Sequence, residues 1–310
     1  MFPRGDLEGC LREHHRSLEL AQQVGSAELQ AAALGGLGDA EYLRGRMLSA
    51  HDYFRRCVEL SHRHGFGRIE VANLPMASFT RWFAGDARGA LEDSIAAIAA
   101  ATKVGHRRAQ AIGHHSAYYC RHSLGEFAAA QENVDASLAL ARQLNARRFE
   151  AEAIAFGAEL SRLAGRRSEA IAAVRDALAI SAETGMAYMG PIYYGILALA
   201  EHDETRRYAA LTEGEALLAT NVVAHNHLLF RKDAIDSCLL LRDWDGAEHH
   251  GAALEDFVHA EPLPWSTFII ARARALAAYG RGRRDRLLTC ELERLRSEGD
   301  RLGIQLPLLA

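Results

Sequence analysis

The chain has 310 residues, a formal net charge of −4 at pH 7 and 49% hydrophobic residues, with 6 prolines. That balance excludes a polycation built for nucleic acid. No apolar run approaches the ~18 residues of a membrane helix and no signal peptide precedes Gly5, so a cytoplasmic, non-membrane protein is expected.

In chain order, the first feature is a punctuation that recurs. Glycines open a segment at Gly5, Gly45, Gly85, Gly125 and Gly165, each 40 residues after the last. The same segments close at Gly25, Gly65, Gly105, Asn145 and Gly185, also 40 apart, with Asn as the other common left-handed residue at a helix end. Five residues after each opening glycine stands Cys10, Ala50, Ala90, Ala130 or Ala170, and twelve after it Ser17, Cys57, Ala97, Ser137 or Ala177. Small side chains at two fixed points let neighbouring helix backbones approach closely. The segment 165–185 shows the pattern best: Ala170, Val174, Ala177, Leu178 and Ser181 share one helix face, and most of the charge lies off it.

Between a closing residue and the next opening glycine lie 19 residues, enough for a second helix. We call this one A and the glycine-opened one B. The second A helix, about 66–83, carries Ala72, Met76, Phe79 and Phe83 on one face; the fourth, about 147–163, carries Phe149, Ala153, Phe156, Leu160 and Leu163. Pro75 falls inside the second A helix and Pro191 follows Gly190 in the fifth, so each is expected to kink its helix or delay its start. After Gly185 the spacing loosens: Ala216 takes the second small position, 39 after Ala177, and Ala247 answers to Ala170. Two prolines in AEPLPWS (260–266) mark a loop before the last hairpin, which ends at Gly303. The expectation is all-α: one continuous right-handed superhelix of antiparallel hairpins, about fifteen helices, spanning residues 1–310. Its first B helix has no A helix before it, so an N-terminal partner region is expected to be missing; the alternative is that this end packs on another subunit.

A hairpin with small residues at these points resembles a tetratricopeptide repeat. The usual unit is ~34 residues, against ~40–47 in HEAT and armadillo repeats, so a period of 40 implies lengthened helices. The usual aromatic and Leu-Gly pair of helix A is degenerate here. Longer stretches, HGFGRIEVANLPM (64–76), VGHRRA (104–109), ARRFEAEA (146–153), AISAETGM (179–186), HNHLLFRKDAI (225–235) and AEPLPWSTFIIARARALA (260–277), are similar to the C-terminal repeat region of bacterial class III adenylate/guanylate cyclase proteins that carry an AAA-type ATPase. That resemblance implies a scaffold or regulatory module in signal transduction, with a protein or peptide partner in its concave groove. It carries no catalysis to this chain, which holds no G-x-x-x-x-G-K-[ST] phosphate loop and no recognisable pair of metal-binding aspartates.

No cofactor, metal or catalytic residue is read. The densest histidine run, GHHSAYYCRH (113–122), offers no second cluster at ligand spacing, so structural or groove-lining roles are expected of it. The five cysteines are scattered without a CxxC pair, and buried thiols are expected in preference to disulfides. Candidate groove residues are Asn73 and Arg81 on the second A helix, His114 and Tyr118 on the third, Tyr193 and Tyr194 after Pro191, and His227 with Arg231 one turn on. Large side chains able to hydrogen-bond suit recognition; ordinary interhelical packing is the alternative for each. A second reading is a small-molecule sensor, with Tyr118, Tyr193, Tyr194 and Arg231 as polar anchors. The basic run GRGRRDR (280–286) lacks interleaved aromatics and does not mark a nucleic-acid site.

Overall fold

A computed structural model describes residues 7–305. The first opening glycine, Gly5, lies outside the described residues. Fifteen helices follow one another: α1 (Leu7–Gln23), α2 (Ala27–Leu43), α3 (Met47–His64), α4 (Gly67–Phe83), α5 (Ala87–Lys103), α6 (Arg107–Ser123), α7 (Phe127–Gln143), α8 (Arg147–Leu163), α9 (Arg167–Thr184), α10 (Gly190–Ala200), α11 (Glu204–Leu218), α12 (His225–Leu240), α13 (Trp244–Val258), α14 (Pro264–Gly280) and α15 (Arg286–Leu302). No strand occurs among the described residues. Odd-numbered helices are the B type and even-numbered ones the A type. Most pack chiefly on their chain neighbours, α12 as much on α10 as on α13, giving a helical solenoid of tetratricopeptide-like hairpins.

The small positions do what their size allows. Ala50, Ala90, Ala130 and Ala170 are fully buried, as are Cys57, Ala97 and Ala177. Ser17 is exposed instead, since no described helix covers that side of α1. The opening glycines from Gly45 to Gly165 all have positive φ, and Asn145 joins the closing glycines there with φ 50°. Of the two prolines, Pro75 is buried inside an unbroken α4, whereas Pro191 sits in the first turn of α10 and shortens it to 11 residues. Ala72 is exposed; α4 packs through Val71, Pro75, Phe79, Trp82 and Phe83.

Beyond α9 the register differs from the expected one. The buried residues of α9 include Ala170, Val174, Ala177 and Ser181, and those of α11 include Arg207, Leu211, Gly214 and Leu218 at the same spacings. The step is therefore 37, not 39, because the delayed, shortened α10 shifts every later helix. Gly214, and not Ala216, is the small residue in contact: Ala216 is exposed, and the Phe230 ring lies where a side chain at 214 would stand. Ala247 keeps its expected role at the same buried point of α13. Four cysteines are buried; Cys290 is exposed.

The larger departure is in shape. An open trough is expected of such an array, but α14 returns to pack on α4. Trp265 meets Trp82 at a tilt and Phe83 edge-to-face, with ring centroids 5.6 and 5.4 Å away. Glu261 accepts hydrogen bonds from the backbone amides of Leu48 (2.8 Å) and Ser49 (3.2 Å) and from the Ser49 hydroxyl. It thus caps α3, whose own N-cap residue, Arg46, makes no side-chain cap. Past α15, the Gln305 amide donates to the Ser123 carbonyl at 2.8 Å. The Tyr42 hydroxyl reaches His225 Nδ1, joining α2 to α12. The inner faces of α4, α6, α8, α10, α12 and α14 consequently form a closed ring, and one apolar core runs from Met47 to Ile304.

Candidate functional site

The ring encloses a chamber of about 960 Å³. That is the upper end of the range for small-molecule sites, roughly 300–1,000 Å³. Its wall is aromatic and aliphatic because the A helices turn their apolar stripes inward and meet no opposing layer. Tyr118 is 4% exposed there and stacks on Phe156 with centroids 4.1 Å apart. Trp82, Trp244 and Trp265, the three tryptophans of the chain, all line the space.

A charged network crosses this apolar wall. On α8, Arg162 donates two 2.7 Å hydrogen bonds to Glu159, a bidentate pair one turn apart. On α12, Lys232 lies 3.0 Å from Asp233 and 3.2 Å from Asp236, and Arg272 of α14 donates to Asp236 at 2.6 Å. Burial alone would raise Glu159, but the bonds and charge of Arg162 hold it well below the usual carboxylate range. Burial likewise pulls the Lys232 ammonium down, and the charges of Asp233 and Asp236 outweigh it and raise it. Burial pushes Asp233 up to about 6, against the pull of Lys232 and with the push of Glu159. Three carboxylates and three cations thus neutralise one another. Breaking such a buried set is expensive, since it strands a charge away from water.

Two further arginines line the same chamber without a carboxylate partner among the described residues. Arg284 lies over the Tyr279 ring at 3.5 Å and donates only to backbone carbonyls. Arg242 makes no side-chain hydrogen bond or ion pair among the described residues, and it is exposed. Its backbone sits at φ 58°, in the turn that places φ 78–87° on Gly45, Gly85 and Gly165 and φ 95° on Gly282. A left-handed conformation costs a side-chain-bearing residue ~1–2 kcal/mol that glycine avoids. Trp244 lies against Gly280, so the α12–α13 and α14–α15 turns carrying the two arginines are neighbours.

Of the groove residues read from sequence, Tyr118 lines the chamber. Tyr193 is buried to 1% in the core behind it, with burial raising its hydroxyl well above the usual range. The others sit between helix layers. Asn73 donates to the Ile69 carbonyl and lies against Gly35, and Arg81 pairs with Asp86 and Asp93 of the next B helix. His114 meets Asn133 at 3.0 Å, and Tyr194 is half-buried on α10. His227 stacks on Phe257 with centroids 4.3 Å apart, while Arg231 pairs with Glu215 and lies 2.8 Å from His250. The charged network and Arg242 were not among the residues read from sequence, and Arg284 was read only as part of the basic run 280–286. Two signals were available: opposite charges one turn apart on inward A faces, and an arginine at a turn position held elsewhere by glycine.

The histidine run separates in space. His114 faces Asn133, His115 faces Glu152 at 3.2 Å, and His122 faces Glu159 at 3.6 Å. Among the described residues no group of three His, Cys, Asp or Glu converges to hold a metal, and no helix is long and apolar enough to cross a membrane.

A tetratricopeptide repeat family model matches residues 2–61. No curated protein matches the chain. Among solved structures it is similar, at 12% identity and a TM-score of 0.46, to a Signal Transduction ATPase with Numerous Domains (STAND) protein with a tetratricopeptide repeat sensor from Pyrococcus horikoshii. The alignment covers 91% of this chain and 38% of that one, so the chain spans well under half its length.

Proposed function

We propose that the chain is a non-catalytic regulatory module that takes a small ligand inside its helical ring. One observation carries this reading: α14 closes onto α4 and converts the inner face, elsewhere a groove for extended peptides, into a chamber of about 960 Å³ ringed by helices and open at a mouth. Ligand and ring closure are then linked. Any molecule that binds the closed ring more tightly than an opened one stabilises the latch contacts of Glu261 and Trp265, and their state is readable by a partner protein. The stretches that resemble cyclase–ATPase repeat regions, 64–76 and 260–277 among them, make a class III cyclase/ATPase polypeptide the first partner to try. The chain itself has no part in that chemistry.

The test is direct. The purified chain is denatured and its released small molecules are compared by mass spectrometry with those from Ile196→Trp/Leu229→Trp, whose larger rings intrude on the chamber. A compound present in the first and absent from the second, raising the melting temperature when added back, supports the reading. If neither preparation releases a compound and no metabolite stabilises the chain, the chamber is only packing. Crosslinking with a cyclase–ATPase polypeptide tests the partner separately, and turnover of ATP by this chain alone would refute the non-catalytic assignment.

A further inference from the structure

Resting on the reading of the chamber as a ligand site, we propose that its ligand is a small amphipathic anion. An apolar body lies against the aromatic wall, and one carboxylate or phosphate is held at the mouth by Arg242 and Arg284.

Charge carries the first part of the inference. In a chain of net charge −4, the chamber lining holds five cationic side chains, Arg162, Lys232, Arg242, Arg272 and Arg284, against three carboxylates. The carboxylates are taken up by Arg162, Lys232 and Arg272, which leaves the two mouth arginines in excess. Guanidinium groups present paired donors that match the oxygens of carboxylate and phosphate, and they gain strength where apolar surroundings keep water away. The wall supplies those surroundings.

Backbone conformation carries the second part. Arg242 occupies a left-handed turn position filled by Gly45, Gly85, Gly165 and Gly282 in other hairpins. Among the described residues Arg242 pairs with no carboxylate, and it holds a backbone conformation that costs any side-chain-bearing residue free energy. Strain kept at a cavity mouth, on a side chain with no hydrogen-bond or ion-pair partner among the described residues, points to use in binding.

The chain also contains its own reporter, because all three of its tryptophans line the chamber. Tryptophan fluorescence of the wild-type chain is titrated with laurate, dodecyl phosphate, dodecanol and dodecylamine below their aggregation concentrations. Laurate or dodecyl phosphate is expected to bind about ten-fold or more tighter than the alcohol and the amine, the equivalent of at least one charge-assisted contact; the order of the two anions identifies the head group. The double variant Arg242→Gly/Arg284→Ala is expected to lose that preference while dodecanol binding stays unchanged. Because glycine fits the left-handed turn, Arg242→Gly alone should melt at or above the wild-type temperature and already weaken the anion preference, so that loss cannot be unfolding. Equal binding of laurate and dodecanol, a preference for the amine, or an undiminished anion preference in the double variant would overturn the ligand class and leave the chamber reading standing. If none of the four probes perturbs the tryptophans, the chamber reading falls and takes this inference with it.

Discussion

The stretch from α3 to α9 and the stretch from α10 to α15 use the same hairpin differently. In the first, alanine, serine or cysteine fills the two contact points of every B helix, and left-handed glycines turn the chain every 40 residues. In the second, Arg207 stands where a small residue stood and donates to the Glu201 carbonyl at 2.7 Å, and Arg242 replaces a turn glycine. Lys232 and Arg272 bring buried charge into the inner wall, and Glu261 and Trp265 reach back to close the ring. Repetition supplies curvature, and departures from it supply chemistry and closure. Where a repeat array stops repeating is therefore where its function is to be sought.

Acid should break this contrast most strongly. Burial first, then the Arg231 charge for two of them, lowers His225, His227 and His250 from 6.5 to about 4. In the unfolded chain these imidazoles take up protons near pH 6.5, whereas in the fold they stay neutral to about pH 4. Their contribution is complete above pH 6.5 and is lost as pH falls toward 4. Asp233 acts in the opposite sense: raised from 3.8 to about 6, it favours the fold at low pH and loses that contribution as pH rises between those values. Asp39, which burial also raises to about 6, acts with Asp233, and Glu159, held against its burial well below the carboxylate range by Arg162, acts with the histidines. Acid should therefore destabilise, and all three histidines lie in the second stretch. Hydrogen exchange at pH 5 should show α11–α13 losing protection before α5–α8; simultaneous loss would dissolve the distinction between the two regions.

Next in size is Lys232→Met, which strands Asp233 and Asp236 beside a single remaining cation. Removing one partner of a buried ion pair costs ~3–5 kcal/mol, to be read from the midpoint of urea unfolding. A smaller loss of about 1–2 kcal/mol is expected for Glu261→Ala, which uncaps α3 from 212 residues away. Faster exchange at Leu48 and Ser49 would locate that loss at the latch. The smallest effect should come from Asn145→Gly in the regular stretch: asparagine tolerates the left-handed turn, so the change should stay under about 1 kcal/mol. A larger gain would mean that the regular stretch stores strain as well.

The sequence by itself determined the building block. A period of 40, glycines at the turns and small residues at two fixed points prescribe helical hairpins from α1 to α9, because those constraints act between chain neighbours. Tyr118 was legible for the same reason, as a large residue on an inward A face. Only the tertiary structure decided the rest. The curvature of each hairpin adds up along the chain, and no local pattern states whether α14 will reach α4. The pairing of Arg272 with Asp236 and the capping of α3 by Glu261 join residues 36 and about 212 positions apart. Such contacts follow from summed geometry, which is why the chamber and its charges emerged only when the ring was seen closed.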